Sequence, residues 1–153
     1  MTVLGLDHVS VSVEDLDRSL AFYHGLLGIP LLGRGEESSE ATESVTGLRN
    51  AHFLYADLSL GSRQILELLQ YVSPRGARLR QHVNDPGSGH LALRVDDITS
   101  VLRGLRGAGV MPRSSPVEIQ EPAWWQGAKC VYVTDPDGVT VELVERSEAA
   151  TSV

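Results

Sequence analysis

Apolar and polar residues alternate over residues 8–13, HVSVSV, the period of a β-strand. Val9, Val11 and Val13 share one face, and His8, Ser10 and Ser12 share the other. The period then changes. Leu16, Leu20, Tyr23 and Leu27 recur at helical spacing, Asp15 is placed to cap the helix, and Gly28 and Pro30 end it. Strands are expected over 31–34, 51–57 and 64–69. The stretch 36–50 is acidic and rich in Ser and Thr, and fits a mobile flap or a short surface helix.

The pattern then begins again. LDHVSVSVEDL at 6–16 lies over SGHLALRVDDI at 88–98, an offset of 82 (90 − 8) that also pairs Leu20 with Leu102, Gly25 with Gly107 and Pro30 with Pro112. The second half predicts a strand over 90–95, a helix over 97–108 stopped by Gly109, and a weak strand over 117–120. A hairpin of 129–134 and 139–144 follows, around Asp135-Pro136-Asp137-Gly138. The organisation is α+β, with two tandem βαβββ modules. The first spans 1–72, a Pro- and Gly-bearing linker 73–88, the second 89–146, and a small, polar, frayed tail 147–153.

Charge narrows the partners. Twenty acidic residues against 13 basic ones give a net charge of −7, and the densest basic stretch, 75–80, holds three arginines. Such a surface repels nucleic acid but leaves room for an anionic small ligand, which one or two arginines can hold. No apolar run reaches the ~20 residues of a membrane span, and Cys130 is the single cysteine, so no intrachain disulfide forms. The start of the chain lacks signal-peptide character, and a cytoplasmic location is the expectation.

Strand parity selects the chemistry. Val9, Val11 and Val13, Leu66 and Leu68, Leu91, Leu93 and Val95, and Val141 and Leu143 belong under the helices. His8, Glu67, His90 and Glu142 then fall on the opposite faces, one His and one Glu per module. A carboxylate unpaired within apolar strand sequence would cost several kcal/mol. A single Glu could answer with a salt bridge, for instance to Arg94, but the same constellation in both halves points to a shared ligand. Two neutral histidines and two carboxylates cancel the charge of one divalent ion, and imidazole with carboxylate suits Ni, Zn, Mn, Fe or Co. Four protein donors in an octahedral site leave two positions for water or substrate oxygens.

LDHVSVSVEDLDRSLAFYHGLLG near the start, ILELL at 65–69, GHLALRVDDI at 89–98 and VYVTDPDGVTVELVE at 131–145 together resemble the vicinal oxygen chelate superfamily. This is also called the glyoxalase/bleomycin-resistance/dioxygenase superfamily. The resemblance implies that the two modules form a curved, incomplete barrel around a metal ion, and that the protein is a homodimer acting on a small molecule. It also implies ligands on the first and fourth strands of each module, which here are His8, Glu67, His90 and Glu142.

The complete His, Glu, His, Glu set is similar to that of glyoxalase I, a metal-dependent lyase or isomerase. That likeness implies a metal-stabilised enediolate, with Glu142 as the proton shuttle and Glu67 as its symmetry-related partner. Tyr71, where bacterial glyoxalase I has Asn, and the Trp124-Trp125 pair depart from that pattern; with Arg94 they are the candidate substrate-pocket residues. Three other family activities are weighed. A methylmalonyl-CoA epimerase shares ELL, a Ser-Pro linker and GHLAL, with Arg75, Arg78 and Arg80 as a phosphate rim, but usually has Gln at the Glu67 position. An extradiol dioxygenase would use His8, His90 and Glu142, with His52 and Tyr55 in support, and Glu67 would block an iron position. A non-catalytic antibiotic-binding protein suits the tryptophans but not an intact ligand set. His24, His52 and His82 lie outside the ligand positions, and Cys130 reads as a small buried apolar group.

Overall fold

A computed structural model of the chain describes residues 2–79 and 82–146. Arg80 and the tail 147–153 lie outside the described residues. The chain divides into two compact units, Met1–Leu79 and Arg80–Val153.

In the first unit β1 (His8–Ser12) leads to helix α1 (Leu16–Leu20). Asp15 caps α1 by accepting the Arg18 N–H at 2.9 Å. The helix then widens into a π-helical segment, Ala21–Leu26, in which the Leu27 N–H reaches back to the Phe22 carbonyl. The expected single helix thus changes pitch. Each residue of the wider turn advances by a smaller angle, so the neighbours Phe22 and Tyr23 both reach the core, edge to face with ring centroids 4.9 Å apart.

β2 (Leu31–Glu37) extends three residues beyond the expected strand, and the acidic stretch that follows holds α2 (Glu40–Thr46). Ser39 and Thr42 form a capping box at its start, and Gly47, at φ 69°, ends it. β3 (His52–Gly61) and β4 (Gln64–Ser73) also outrun their predicted limits. The sheet order is β1-β4-β3-β2, with β1 parallel to β4 and the other pairs antiparallel.

The second unit repeats this plan with β5 (His90–Val95), α3 (Ile98–Gly107), β6 (Val117–Glu118), β7 (Lys129–Thr134) and β8 (Thr140–Glu145), in the order β5-β8-β7-β6. A 3-10 turn, Ala123–Trp125, carries both tryptophans. Neither sheet closes on itself. Among the described residues no helix is long and apolar enough to cross a membrane.

The helix-facing side chains build both cores. Val11, Val13, Leu16, Leu20, Leu58, Leu66 and Leu68 are buried in the first unit, and Ile98, Leu102, Leu105, Val131, Val133, Val141 and Leu143 in the second. Each fully buried aliphatic of this size contributes about 1.5–3 kcal/mol. The strand alternation that buries them turns His8, Glu67, His90 and Glu142 to the other face, as the sequence pattern required.

Candidate metal-binding faces

Register brings each His–Glu pair together. In the first sheet β1 and β4 are neighbours, with His8 opposite Ile65 and Ser10 opposite Glu67. His8 Nε2 stands 4.0 Å from Glu67 Oε2. In the second, β5 lies beside β8 with Ala92 opposite Glu142, and His90 Nε2 is 3.1 Å from Glu142 Oε2. The 135–138 turn places Glu142: the Asp135 carboxylate accepts the Asp137 and Val139 N–H groups at 2.9 and 2.7 Å, and Gly138 supplies φ 98°. Glu142 is 12 % exposed and Glu67 26 %, so both carboxylates are largely withdrawn from water while their histidine partners remain half-exposed.

Four residues around these pairs escaped the sequence reading. Asp7 Oδ1 accepts the His8 Nδ1–H at 2.8 Å, which turns the Nε2 lone pair towards Glu67. A carboxylate on the far nitrogen is the usual support of a metal-ligating imidazole. The Asp7 hydrogen bond raises the His8 pKa, and the charges of Glu67, Asp7 and Asp57 add to this against partial desolvation. Ser10 donates its hydroxyl to Glu67 Oε2. Asp57 pairs across β3–β4 with Glu67; desolvation, and then the Glu67 charge, push its carboxyl pKa up. Tyr132 pairs across β7–β8 with Glu142, and its ring lies 5.4 Å from the His90 ring. The Asp-His dipeptide was the one local signal; the other three neighbours follow from register.

The donor chemistry fits a divalent cation: in each module an imidazole nitrogen faces a carboxylate oxygen. Among the described residues no group of three or more His, Cys, Asp or Glu side chains is gathered that could hold an ion.

The remaining candidates divide. Arg94 shares the His90 face of β5, opposite Val144, and has no hydrogen-bond or ion-pair partner among the described residues. Tyr71 packs edge to face on Phe53, centroids 5.5 Å apart. Trp125 lies under the Arg146 guanidinium at 3.8 Å, whereas Trp124 is 59 % exposed. Arg75 and Arg78 are exposed on the loop after β4. His24 Nδ1–H donates to the Ile29 carbonyl at 2.8 Å, His52 Nε2 is 3.7 Å from Glu36, and Tyr55 covers Gly35, where an added Cβ would meet its hydroxyl at 2.8 Å. Burial and the nearby Glu142 charge push the Cys130 thiol up to about 11, which makes it a poor nucleophile.

Comparison with known proteins gives the family and the fold. The chain is 28 % identical over 142 residues to a probable lactoylglutathione lyase of Vibrio cholerae, covering 93 % of this chain and 91 % of that protein. It is 29 % identical over 145 residues to a 2-epi-5-epi-valiolone epimerase of an Actinomyces species, covering 92 % and 79 %. The crystal structure of a glyoxalase family protein from Bacillus cereus shares the fold, with a TM-score of 0.82, 24 % identity and 95 % of each chain covered. Residues 5–143 match the family described as the Glyoxalase/Bleomycin resistance protein/Dioxygenase superfamily, and the chain belongs to that superfamily.

Proposed function

We propose that the protein is a metal-dependent lyase or isomerase of the glyoxalase I type, with His8, Glu67, His90 and Glu142 as the donors for one divalent ion, Ni, Zn, Mn, Fe or Co. The observation that carries this reading is the His–Glu pair found on the same face of both modules, at 4.0 Å in the first and 3.1 Å in the second. When bound, such an ion supplies Lewis-acid polarisation of two vicinal substrate oxygens. The protein's own part is the proton. On a hemithioacetal the Glu142 carboxylate takes the proton from the carbon bearing sulfur and oxygen and returns it to the adjacent former carbonyl carbon, while the hydroxyl proton passes from the first oxygen to the second, so that the thioester product is an isomer of the substrate. Glu67 holds the matching place in the first module. Asp7 fixes the His8 ring, and Ser10 restrains the Glu67 carboxylate.

The protein acts on a small molecule in this reading and works as a homodimer. A second reading, a proton-transfer epimerase, draws on the epimerase relative and on the two carboxylates, one per module. There one carboxylate removes a proton from a carbon beside a carbonyl and the other delivers one to the opposite side.

Elemental analysis of untagged protein tests the ligand set: about one divalent ion per chain is expected in wild type, with loss in His90→Ala. The metal-loaded protein is then assayed for hemithioacetal isomerisation, and for exchange of substrate hydrogen in deuterated water. No metal after soaking with each of the five ions would sink both enzymatic readings.

A further inference from the structure

The two ligand faces carry opposite charge. Beside its His–Glu pair, the first module presents Ser10 and Ser12 on β1 and the Asp57 carboxylate on β3. The 82-residue offset and the sheet register place Ala92, Arg94 and Tyr132 at the matching positions of the second. A serine has become a guanidinium, and a carboxylate has become a phenol. Arg113 adds to the second face: its Nη2 donates to Thr140 Oγ1 at 2.9 Å, and its guanidinium carbon is 5.9 Å from the Tyr132 ring centroid. Arg113 is engaged there, but Arg94 is exposed and has no hydrogen-bond or ion-pair partner among the described residues.

Arg94 is held by a strand rather than a loop. It lies two residues beyond Ala92, the residue opposite Glu142, so its backbone is about 7 Å along the strand from the Glu142 rung. Only the Ala92 methyl stands between His90 and Arg94 on that face. Charge on an edge strand can serve simply to block pairing with another sheet. The matching position on the matching edge strand is Ser12, so the fold itself does not demand a cation there.

We infer that Arg94 anchors an oxyanion of the substrate, so that the vicinal-oxygen compound bound at the His–Glu donors carries a carboxylate or phosphate about two or three atoms away, over the second module. The inference rests on the metal-dependent reading above and narrows its substrate class. Guanidinium binds either oxyanion through paired N–H donors, and a lysine would keep the charge but lose the fork.

The test uses hydroxamates, which chelate through two adjacent oxygens, on the full chain loaded with Co(II). Butanohydroxamate is the neutral probe; succinomonohydroxamate and 3-phosphonopropanohydroxamate carry an anion on a similar tail. Calorimetry gives each affinity, and the cobalt absorption reports chelation. In wild type at least one anionic probe binds about 10–100-fold more tightly than the neutral one, the scale of a charge-assisted hydrogen bond. The anion with the larger gain identifies the substrate's charged group. Arg94→Gln abolishes the preference, and Arg94→Lys keeps part of it. Equal binding of all three probes to wild type, or a preference that survives in Arg94→Gln, overturns the assignment while leaving the metal site intact. If cobalt is not taken up, or butanohydroxamate leaves its absorption unchanged, the chelate reading itself fails and the Arg94 assignment falls with it.

Discussion

The two modules hold the same pair of residues in different surroundings. In the first, Glu67 is fastened by the Ser10 hydroxyl and crowded by Asp57, and His8 is fixed from behind by Asp7. In the second, Glu142 faces the Tyr132 ring and the Ala92 methyl, is less exposed than Glu67, and touches its histidine more closely. Repetition preserves the histidine and the glutamate, whereas the neighbours have diverged. One module holds its carboxylate among other oxygens; the other sets its carboxylate among the His90 ring, the Tyr132 ring and the Cys130 thiol. What Glu67 has and Glu142 lacks is a hydroxyl donor on the neighbouring strand, Ser10 against Ala92, and a carboxylate without that fixed donor is the better placed to shuttle a proton.

The largest effect follows from that difference. Glu142→Gln is expected to lower kcat by ~10²–10⁴, the usual contribution of a positioned general base. Glu67→Gln, at the restrained position, lowers kcat at least about tenfold less and acts mainly through metal affinity. Steady-state kinetics at saturating metal separates the two. Equal losses of kcat would break the asymmetry and favour the epimerase reading, in which both carboxylates move protons.

A smaller effect belongs to the first module alone. Asp7→Asn removes the carboxylate behind His8 and is expected to weaken metal binding by about 10–100-fold, as such supporting groups typically do. Among the described residues the His90 ring has no matching carboxylate partner, so the loss is peculiar to one half. Competition against a chelating dye measures it. An affinity unchanged by Asp7→Asn would show that the Asp7 contact is incidental.

Exchanging one neighbour is gentler still. Ser10→Ala frees the Glu67 carboxylate, and Ala92→Ser offers Glu142 the hydroxyl it lacks. The first is expected to lower metal affinity by about tenfold, at the low end for a supporting group, and the second to lower kcat more than it changes metal affinity. If Ala92→Ser leaves kcat untouched, the lack of a neighbouring hydroxyl is not what distinguishes Glu142.

The sequence carried the modules and the faces because both depend on period. HVSVSV and HLALRV declare which side is buried, and the 82-residue repeat declares that it happens twice. The neighbours of each glutamate depend instead on strand order and register. β4 runs beside β1 although four elements separate them in the chain, and irregularities near Gly33 and Phe53 shift the register of β2 and β3. Parity alone therefore could not place Asp57 beside Glu67 or Tyr132 beside Glu142. The widening of α1 after Leu20 was equally hidden, since Leu16, Leu20, Tyr23 and Leu27 satisfy a regular helix.

The smallest effect distinguishes the modules through their helix caps. Asp15 accepts one N–H, that of Arg18. Asp97 accepts two, from Thr99 and Ser100, and also the Ser100 hydroxyl at 2.7 Å. The Ser100 hydroxyl, then the Ser100 and Thr99 N–H groups and the charge of Arg103, hold the Asp97 pKa below its ordinary value of 3.8 against slight desolvation. A carboxyl depressed in the folded state gives stability that is present above its unfolded pKa and lost as pH falls through its folded one. Asp97→Ala should therefore lower the melting temperature at pH 7 more than Asp15→Ala does. The Asp97→Ala deficit should then shrink as the pH is taken below about 3.8, where the unfolded carboxyl takes up its proton, and settle once the folded carboxyl, at its lower pKa, has done the same. Thermal unfolding followed by circular dichroism at pH 7 and at successive lower values gives both comparisons. A deficit for Asp97→Ala that stays constant down the whole series would mean that the cap acts through its shape and not through its charge.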